Sequence, residues 1–146
     1  MGMVDISDKK NMIRIARARG RIRLREETIR RIVEDRIEKG NVFEATKVAV
    51  MNAVKKTAEL LPFCHPIEIT HIHTKICPVR GYLDVEVTVK SVSKTGVEME
   101  ALVGVCAGLL NIWDMVKKYE KDEKGQYPYT LITDIQVVEK VKREVK

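Results

Sequence analysis

The chain has 146 residues, and 45% of them are hydrophobic, which is enough to bury a real core. The chain has three cysteines, and so small and odd a number argues against a secreted disulfide framework and for reduced thiols. No charged leader precedes an apolar signal core and no membrane anchors flank the apolar stretches, so we expect a cytoplasmic protein, without a membrane partner, whose single domain spans residues 1–146.

The formal net charge of +6 is concentrated near the N-terminus. Residues 13–31 contain eight arginines and two glutamates, so this segment accounts for the whole excess and the rest of the chain is neutral. Such a basic patch implies contact with a polyanion, and the phosphate groups of a nucleotide or of a nucleic acid are the obvious candidates.

The first predicted element is a strand from Ala16, after a loose, flexible arm of residues 1–11. Small and apolar residues alternate with arginines along it, which is typical of a strand with two different faces. The apolar face comprises Ala16, Ala18, Gly20, Ile22 and Leu24, and the arginine face comprises Arg17, Arg19, Arg21, Arg23 and Arg25. The arginine face fits anion binding, and it fits equally well a solvated edge strand whose charges prevent sheet-to-sheet aggregation.

Two helices are predicted next. Apolar residues at helical spacing predict a first helix over Thr28–Lys39, ended by Gly40, because glycine readily adopts the left-handed conformation that follows a helix. Asn41 is expected to cap a second helix that reaches about Glu59. Lys55 lies near its C-terminal end, where the helix dipole favours a cation without any function being required.

A loop with two prolines follows, Leu60-Leu61-Pro62-Phe63-Cys64-His65-Pro66. Prolines fix the backbone and cannot continue the helix, so we expect a rigid loop that aims Cys64 and His65. A nucleophile and base pair here needs an unusual backbone, because adjacent side chains in an extended loop diverge. Zinc ligation is disfavoured, since no common zinc spacing occurs among Cys64, His65, His71, His73 and Cys77. We therefore predict no metal site.

The remaining strands predict a mostly antiparallel sheet. Ile67–Ile76 and Tyr82–Val92 are joined by a turn at Pro78–Gly81, and the second of these alternates most cleanly in the chain. After a polar loop, Tyr129–Val138 has the β-branched content of a last strand, and residues 139–146 are predicted to form a charged tail. This order of elements predicts an α+β fold with the helices packed on one face of the sheet.

The stretch Thr95–Lys118 predicts a helix buried on nearly every side, because only three residues between positions 97 and 113 are strongly polar. Glu98 and Glu100 lie at its start, and Asp114 and Lys117 share one face near its end. On these residues alone, ordinary roles are favoured: first-turn carboxylates and a surface ion pair. At 1.5 Å per residue the two ends lie roughly 24 Å apart, so a shared pocket needs either a helix that starts late or a second subunit.

Four motifs, taken together, change this interpretation. They are Lys39-Gly40-Asn41-Val42-Phe43, Leu61-Pro62-Phe63-Cys64-His65-Pro66-Ile67, Lys94-Thr95-Gly96-Val97-Glu98-Met99-Glu100-Ala101-Leu102 and Trp113-Asp114-Met115-Val116-Lys117. In order and spacing they closely resemble the cyclic pyranopterin monophosphate synthase family, molybdenum cofactor biosynthesis protein C. The opening Met3-Val4-Asp5-Ile6-Ser7 resembles that family's start, so the resemblance covers nearly the whole chain.

The resemblance implies a ferredoxin-like α+β domain that assembles as a hexamer, a trimer of dimers, with pockets at subunit interfaces. It implies a lyase that converts a small GTP-derived molecule, 3′,8-cyclo-7,8-dihydro-GTP, into cyclic pyranopterin monophosphate with release of pyrophosphate. No metal, redox or other cofactor is implied. The alternative is a nucleic-acid or nucleotide-binding module that uses the arginine strand, but no aromatic cluster accompanies these arginines for base stacking, so we expect no nucleic-acid partner.

The resemblance also assigns residues. Asp114 and Lys117 match catalytic positions, and a lysine whose pKa is lowered by burial or cationic neighbours suits proton shuttling. The substrate-binding positions are matched by Phe63, Cys64, His65, Met99, Glu100, Glu98, Lys39, Lys55 and Arg14. Many family members carry a Lys-Ser-Gly-Gly-Lys segment after the last helix, and Leu131–Ile135 stands there in this chain. Either another cation, such as an N-terminal arginine, replaces that lysine, or phosphate binding is weaker.

Overall fold

The structure is a computed structural model that describes residues 1–146. Eight elements follow one another: β1 (Met12–Arg23), α1 (Glu26–Val33), α2 (Val42–Lys55), α3 (Thr57–Leu60), β2 (Ile69–Val79), β3 (Tyr82–Ser93), α4 (Glu98–Glu120) and β4 (Leu131–Arg143). The strands form one antiparallel sheet in the order β2-β3-β1-β4, and the helices pack on one of its faces. The predicted ferredoxin-like α+β fold is confirmed.

The core lies between helices and sheet as one cluster of 20 buried hydrophobic residues. β1 contributes its apolar face as predicted, since Ala16, Ala18 and Ile22 are buried, as is Leu24 directly after the strand. However, β1 is a central strand that pairs with β3 on one side and with β4 on the other. The interpretation of its arginines as protection for an exposed sheet edge is therefore wrong.

The central helix α4 begins at Glu98 and runs unbroken to Glu120, with ten buried residues. Gly104 and Gly108 let it approach α2, because a Cβ on either glycine would lie 2.8–2.9 Å from a valine of α2. A late start, which would have brought both ends of the helix to one pocket, is thereby excluded.

By length and composition alone, α4 is apolar enough to cross a membrane, and it is the one helix of this chain for which that holds. The core helices of soluble proteins meet the same two criteria. In this fold, packing against the sheet and α2 accounts for the apolar composition of α4.

The first helix is shorter than predicted. It ends at Val33, well before Gly40, because Asp35 adopts the left-handed conformation with a φ of 56°. The backbone N–H of Arg36 then donates to the carbonyl oxygen of Arg31 at 2.8 Å. This is the Schellman arrangement that ends many helices, with aspartate where glycine is commoner.

Asn41 caps α2 as predicted, since its side-chain oxygen accepts the backbone N–H of Glu44 at 2.9 Å. The helix breaks at Lys56, so the single helix predicted to reach Glu59 consists of α2 and the short α3. The proline loop follows α3 without regular structure, as expected from its two prolines.

Three strands differ from their predicted bounds, and the first of them, β1, begins at Met12 and not at Ala16. β2 starts at Ile69 and continues through Pro78, which an edge strand allows because its outer N–H groups need no partner strand. β4 continues to Arg143, and Glu139 lies opposite Arg17 of β1. The predicted charged tail is therefore wrong for residues 139–143, because charges on the neighbouring strand compensate those of β4.

Candidate active site

The residues assigned from the sequence lie in two groups at opposite ends of α4. The first group surrounds a cavity of about 350 Å³ beside the start of the helix, which we call the N-end cavity. Its walls include Phe63, Cys64, His65, Glu98, Met99 and Glu100. The second group, the C-end cluster, consists of Lys39, Asp114 and Lys117 at the last turns of the helix. Because α4 is continuous, one protomer does not join the two groups.

The proline loop turns back on itself at the N-end cavity. The N–H of Cys64 donates to the carbonyl oxygen of Leu61 at 3.0 Å, which closes a tight turn. The Nε2–H of His65 then donates to the carbonyl oxygen of Val4 at 2.8 Å. A carbonyl oxygen only accepts, so Nε2 carries a proton. The N-terminal arm therefore forms part of the cavity wall.

Glu98 and Glu100 have pKa values displaced in opposite directions. Burial raises the pKa of Glu100, which is only 4% exposed, and the nearby charge of Glu98 raises it further against an opposing backbone hydrogen bond. Burial also acts on Glu98, but hydrogen bonds from Lys140 and the backbone, with the charges of Lys140 and Arg14, outweigh it and lower the pKa of Glu98. Two carboxyl groups with separated pKa values can serve as an acid and a base at one pH.

Gly96 leaves room for the carboxylate of Glu98. A Cβ at position 96 would lie 2.1 Å from Oε2 of Glu98, so a larger residue displaces that carboxylate. The φ of Gly96 lies outside the left-handed region, which means that space and not backbone conformation explains this glycine of the Thr-Gly-Val-Glu motif.

Two cations of the sheet lie beside Glu98. Arg14 on β1 donates to the carbonyl oxygen of Lys94 at 3.3 Å, and its Nε is buried without a hydrogen-bond partner. Lys140 on β4 pairs with Glu98. Lys140 lies in the segment predicted to be a charged tail and is therefore absent from the predicted site residues, although valines continue as far as Val141 and indicate a longer strand. A lysine of the last strand thus stands beside the cavity after all.

Lys55 lies at the same end of the molecule as the N-end cavity. It lies at the C-terminal end of α2 and borders a neighbouring cavity of about 230 Å³. His65 and Glu100 line both cavities, so the two cavities share part of their walls.

Cys64 lacks the features of an activated thiol. Burial, and then the charge of Glu100, raise the pKa of Cys64, so the thiolate is disfavoured. His71 and His73 lie on β2 opposite Lys90 and Thr88 of β3. No three histidine, cysteine, aspartate or glutamate side chains converge where a metal ion could bind.

The C-end cluster is a carboxylate held between two lysines. Nζ of Lys117 lies 2.9 Å from Oδ1 of Asp114, and Nζ of Lys39 lies 2.9 Å from Oδ2 and 3.1 Å from the carbonyl oxygen of Asp114. Asp114 and Lys117 are neighbours on α4, whereas Lys39 comes from the turn before α2. The structure thus adds Lys39, which the resemblance assigns to substrate binding, to the Asp114–Lys117 pair.

The turn that carries Lys39 is fastened to α4 at a second point. The hydroxyl oxygen of Tyr119 accepts the backbone N–H of Glu38 at 3.0 Å, and Lys118 pairs with the Glu38 carboxylate. Ile37 is buried beside these contacts. Lys39 is therefore held in place by its neighbours in the chain as well as by Asp114.

Hydrogen bonds from Lys39, and then from Lys117, lower the pKa of Asp114 to about 2. The hydrogen bond to Asp114 in turn raises the pKa of Lys117. Proton shuttling requires a lysine with a lowered pKa, and Lys117 in the single protomer does not meet this requirement. The side chains of this cluster are 43–56% exposed, so the effect of burial, which lowers the pKa of Lys117, is smaller than the effect of Asp114.

The arginine face of β1 is largely satisfied within the sheet. Its partners are Glu86 and Glu139 for Arg17, Asp84 for Arg21 at 2.9 and 3.0 Å, and the carbonyl oxygen of Tyr129 for Arg23. Arg19 is exposed and makes no such contact. These partners account for most of the arginines without a polyanion, so the face gives no support to a nucleic-acid-binding role.

Residues 3–142 match the sequence profile of a family described as the MoaC family. The chain is 54% identical over 142 residues to a protein of Pyrococcus furiosus, covering 97% of this chain and 91% of that protein. It is 53% identical over 142 residues to a protein of Saccharolobus solfataricus (97% and 95% covered) and 56% identical over 140 residues to one of Archaeoglobus fulgidus (96% and 90% covered). All three relatives are named "probable cyclic pyranopterin monophosphate synthase".

Proposed function

The chain belongs to the MoaC family, and from this we propose that it is an enzyme of molybdenum cofactor biosynthesis. It converts 3′,8-cyclo-7,8-dihydro-GTP into cyclic pyranopterin monophosphate and releases pyrophosphate, as a lyase. The observation that carries the proposal is that the two most specific motifs, which contain Phe63–His65 and Glu98–Glu100, line one cavity of about 350 Å³. The names of relatives that match over nearly their whole length support it.

The N-end cavity supplies an acid and a base to this reaction. Opening and rebuilding a ring requires proton transfers at neutral pH. Glu98, whose pKa is lowered, is the carboxyl group that ionises more readily and is the proposed base, and Glu100, whose pKa is raised, keeps its proton more readily and is the proposed acid. Arg14, Lys55 and Lys140 provide positive charge for the triphosphate.

The C-end cluster supplies the proposed catalytic pair. Asp114 orients Lys117, and the charged lysine donates a proton or stabilises developing negative charge. For Lys117 to accept a proton as well, its pKa has to fall below the value in the single protomer. Burial against a second subunit, together with the charge of Lys39, acts in that direction.

The active unit is an oligomer in which two protomers complete each site. The supporting argument is the unbroken helix between Glu98 and Asp114, whose ends are roughly 24 Å apart. We propose a hexamer, a trimer of dimers, of single-domain protomers in the cytoplasm. Its partner is a small GTP-derived substrate, with no nucleic acid, membrane, metal or redox cofactor.

The test is turnover of the purified cyclic intermediate by the purified protein, with pyranopterin product and pyrophosphate measured together. Lys117→Arg is the informative variant, because arginine keeps the charge but does not give up a proton at physiological pH. We expect this variant to fold, assemble and bind substrate while making almost no product. Lys124→Arg, in the loop outside both groups, is the matched control and should retain full turnover.

Two results would count against the proposal in different ways. If the unmutated protein releases neither product, the reaction is wrong. Near-normal turnover by Lys117→Arg would leave the reaction standing and reduce Lys117 to an electrostatic anchor.

A further inference from the structure

The loop between α4 and β4, residues 121–130, is tightly closed although it has no regular structure. Oδ1 of Asp122 accepts two backbone N–H groups of the loop, both at 2.9 Å. The N–H of Asp122 donates to the carbonyl oxygen of Gln126 at 2.9 Å, and Gly125 has the left-handed conformation that this turn requires, with a φ of 74°. The loop therefore holds Tyr127, which follows directly, in a defined place.

The ring of Tyr127 lies against one face of α4. Its centroid is 5.2 Å from that of Trp113, and the two ring planes meet at 72°, which is an edge-to-face contact. Nζ of Lys121, directly after the helix, lies 5.9 Å from the centroid of the Tyr127 ring. Trp113, Lys117 and Lys121 are spaced four residues apart, so they share one face of the helix. Since Tyr127 contacts the first and the third of them, it lies beside the second, Lys117.

The electrostatics of Lys117 agree with this placement. The hydrogen bond to Asp114 and the charge of Asp114 raise the pKa of Lys117, burial lowers it, and Tyr127 adds a smaller electrostatic increase. An effect of this kind is confined to close neighbours, because salt screens exposed charges that lie more than about 10 Å apart. Nζ of Lys117 donates to Asp114 and not to Tyr127. The ring of Tyr127 is therefore a wall beside the lysine and not its hydrogen-bond partner.

Such a wall matters because Lys117 is otherwise free to move. Its side chain is 43% exposed, and the flexible stem of a lysine lets the ammonium group leave an exposed carboxylate for water. A ring beside the stem removes part of this freedom. Catalytic groups act efficiently only when they are held close to the productive geometry.

We propose that Tyr127 is a positioning residue for Lys117, whose side chain its ring confines so that Nζ stays at Asp114. The contribution to turnover rests on the proposed function, but the confinement of Lys117 does not. Tyr127 lies outside the four motifs that carry the family resemblance. Because the ring and not the hydroxyl group is the part that acts, phenylalanine should replace Tyr127 and alanine should not.

Acetylation of lysines tests this role without substrate. Acetic anhydride reacts with the uncharged form of a lysine side chain, and tandem mass spectrometry gives the rate at Lys117. We expect Lys117 to react about threefold faster or more in Tyr127→Ala, because a lysine that leaves Asp114 loses the hydrogen bond that raises its pKa. Tyr127→Phe should react at the unmutated rate.

Lys47 is the internal reference, because it forms the same kind of ion pair. Its Nζ lies 3.0 Å from Oε1 of Glu44, three residues away on α2, and its side chain is 47% exposed. The rate at Lys47 should be equal in all three proteins. An unchanged rate at Lys117 in Tyr127→Ala, an acceleration that Lys47 shares, or a Tyr127→Phe protein that reacts like Tyr127→Ala overturns the proposal.

A second variant keeps the ring and opens the loop. Asp122→Ala removes the acceptor of two backbone N–H groups, and Glu123→Ala next to it is the matched control. Trp113 is the only tryptophan of the chain and contacts Tyr127, so its fluorescence reports where the ring lies. We expect Asp122→Ala to change the Trp113 emission and to accelerate acetylation of Lys117, and Glu123→Ala to do neither. A changed emission with an unchanged acetylation rate contradicts the proposal.

Steady-state kinetics separates positioning from contact with the substrate. If the ring positions Lys117, Tyr127→Ala lowers kcat by about tenfold with little change in KM, and Tyr127→Phe keeps the unmutated kcat. Tyr129→Ala is the control in the same loop, because the Tyr129 ring lies at Arg23 of β1, with 4.5 Å between the guanidinium carbon and the ring centroid, and should retain full turnover. A raised KM at an unchanged kcat would show direct contact with the substrate and overturn the positioning role.

These outcomes are separable from those of the proposed function. Faster acetylation of Lys117 in Tyr127→Ala, in a protein that does not turn over the cyclic nucleotide, leaves the confinement of Lys117 standing and removes the activity. Normal turnover by Tyr127→Ala with an unchanged acetylation rate removes the positioning role and leaves the activity.

Discussion

At the scale of single residues, the Asp114 carboxyl group has a pKa that its neighbours lower strongly. Lys39 and Lys117 lower its pKa from 3.8 to about 2. A carboxyl group with a lowered pKa in the folded state stabilises the fold above its ordinary pKa and loses that contribution as the pH falls towards the lowered value. Since the cluster is exposed, the contribution is small and salt-sensitive.

We therefore predict that the difference in melting temperature between the unmutated protein and Asp114→Asn is present at pH 7 and disappears between about pH 4 and pH 2. Thermal unfolding followed by circular dichroism across this range measures it. Asp8→Asn, in the exposed N-terminal arm, is the control and should show no such change. A difference that persists at pH 2 would mean that Asp114 acts through packing and not through its charge.

Gly96 leaves space for the Glu98 carboxylate that a larger residue would occupy. In Gly96→Ala the new Cβ displaces the Glu98 carboxylate, whose Oε2 lies 2.1 Å from that point. We expect kcat/KM to fall by up to about 100-fold, because misplacing a reacting group by about 1 Å has effects of that size, while the melting temperature changes little. Gly2→Ala, where a Cβ meets nothing within 4 Å, is the matched control for kinetics and melting. Unchanged kinetics would show that Glu98 adapts or takes no part.

At the scale of elements, Glu120 connects three parts of the fold. Its fully buried carboxylate accepts the backbone N–H of Arg25 at the start of α1 and the hydroxyls of Thr28 and Thr130. Thr130 immediately precedes β4, so one carboxylate at the end of α4 holds α1 and the last strand together.

Removing that carboxylate leaves buried donors without an acceptor. We predict that Glu120→Ala lowers the free energy of unfolding by about 3–5 kcal/mol and that Glu120→Gln, which keeps one acceptor and the side-chain shape, lowers it clearly less. Urea unfolding measures both. Glu123→Ala, in the loop after α4, is the control and should be near neutral. If Gln and Ala variants are equally destabilised, the charge of Glu120 matters more than its hydrogen bonds.

The sequence predicts well those elements whose pattern lies in residues close together in the chain. The faces of β1 and the long apolar run of α4 are visible in neighbouring residues, and so is the rigid loop around Cys64. The end of α1 is not visible in neighbouring residues, because aspartate adopts the left-handed conformation of Asp35 too rarely for an aspartate to predict a helix end. The strand character of residues 139–143 depends on partners on β1, more than a hundred positions earlier.

The same distinction applies to the site. The loop and helix motifs that line the N-end cavity are contiguous segments with recognisable residues. The valines up to Val141 indicate that Lys140 lies on a strand, but its contact with Glu98 and the hydrogen bonds of Glu120 depend on tertiary neighbours, so no local pattern predicts these contacts. The direction of the Lys117 pKa shift also depends on tertiary structure, since exposure decides whether the ion pair with Asp114 or burial dominates.

At the scale of the whole molecule, shared sites predict complementation. Glu100→Ala and Lys117→Ala proteins should each be inactive alone, because every composite site in them lacks one group. A mixed dimer contains one site that lacks both groups and one site that lacks neither. After unfolding and refolding together, random pairing should therefore restore about a quarter of the unmutated turnover.

Sites confined to one protomer would give no recovery in mixtures whose mixed dimers have been verified by differential tagging. Mixing Glu100→Ala with a second inactive variant of the N-end cavity, Glu98→Ala, is the control. Both changes then fall in the same half of the site, so no intact site forms and no activity should return.

The position of β1 in the sheet also governs how the chain reaches its fold. β1 is synthesised early, yet its partners are β3 and β4, and Ile13 near the N-terminus pairs with Arg143 near the C-terminus. Pairings so distant in sequence slow folding, because a long loop has to close before they form. During synthesis both edges of β1 are open until β3 emerges, and one edge stays open until β4 emerges as well. We expect the arginines of β1, most of which have partners in the finished sheet, to oppose association between nascent chains during that interval.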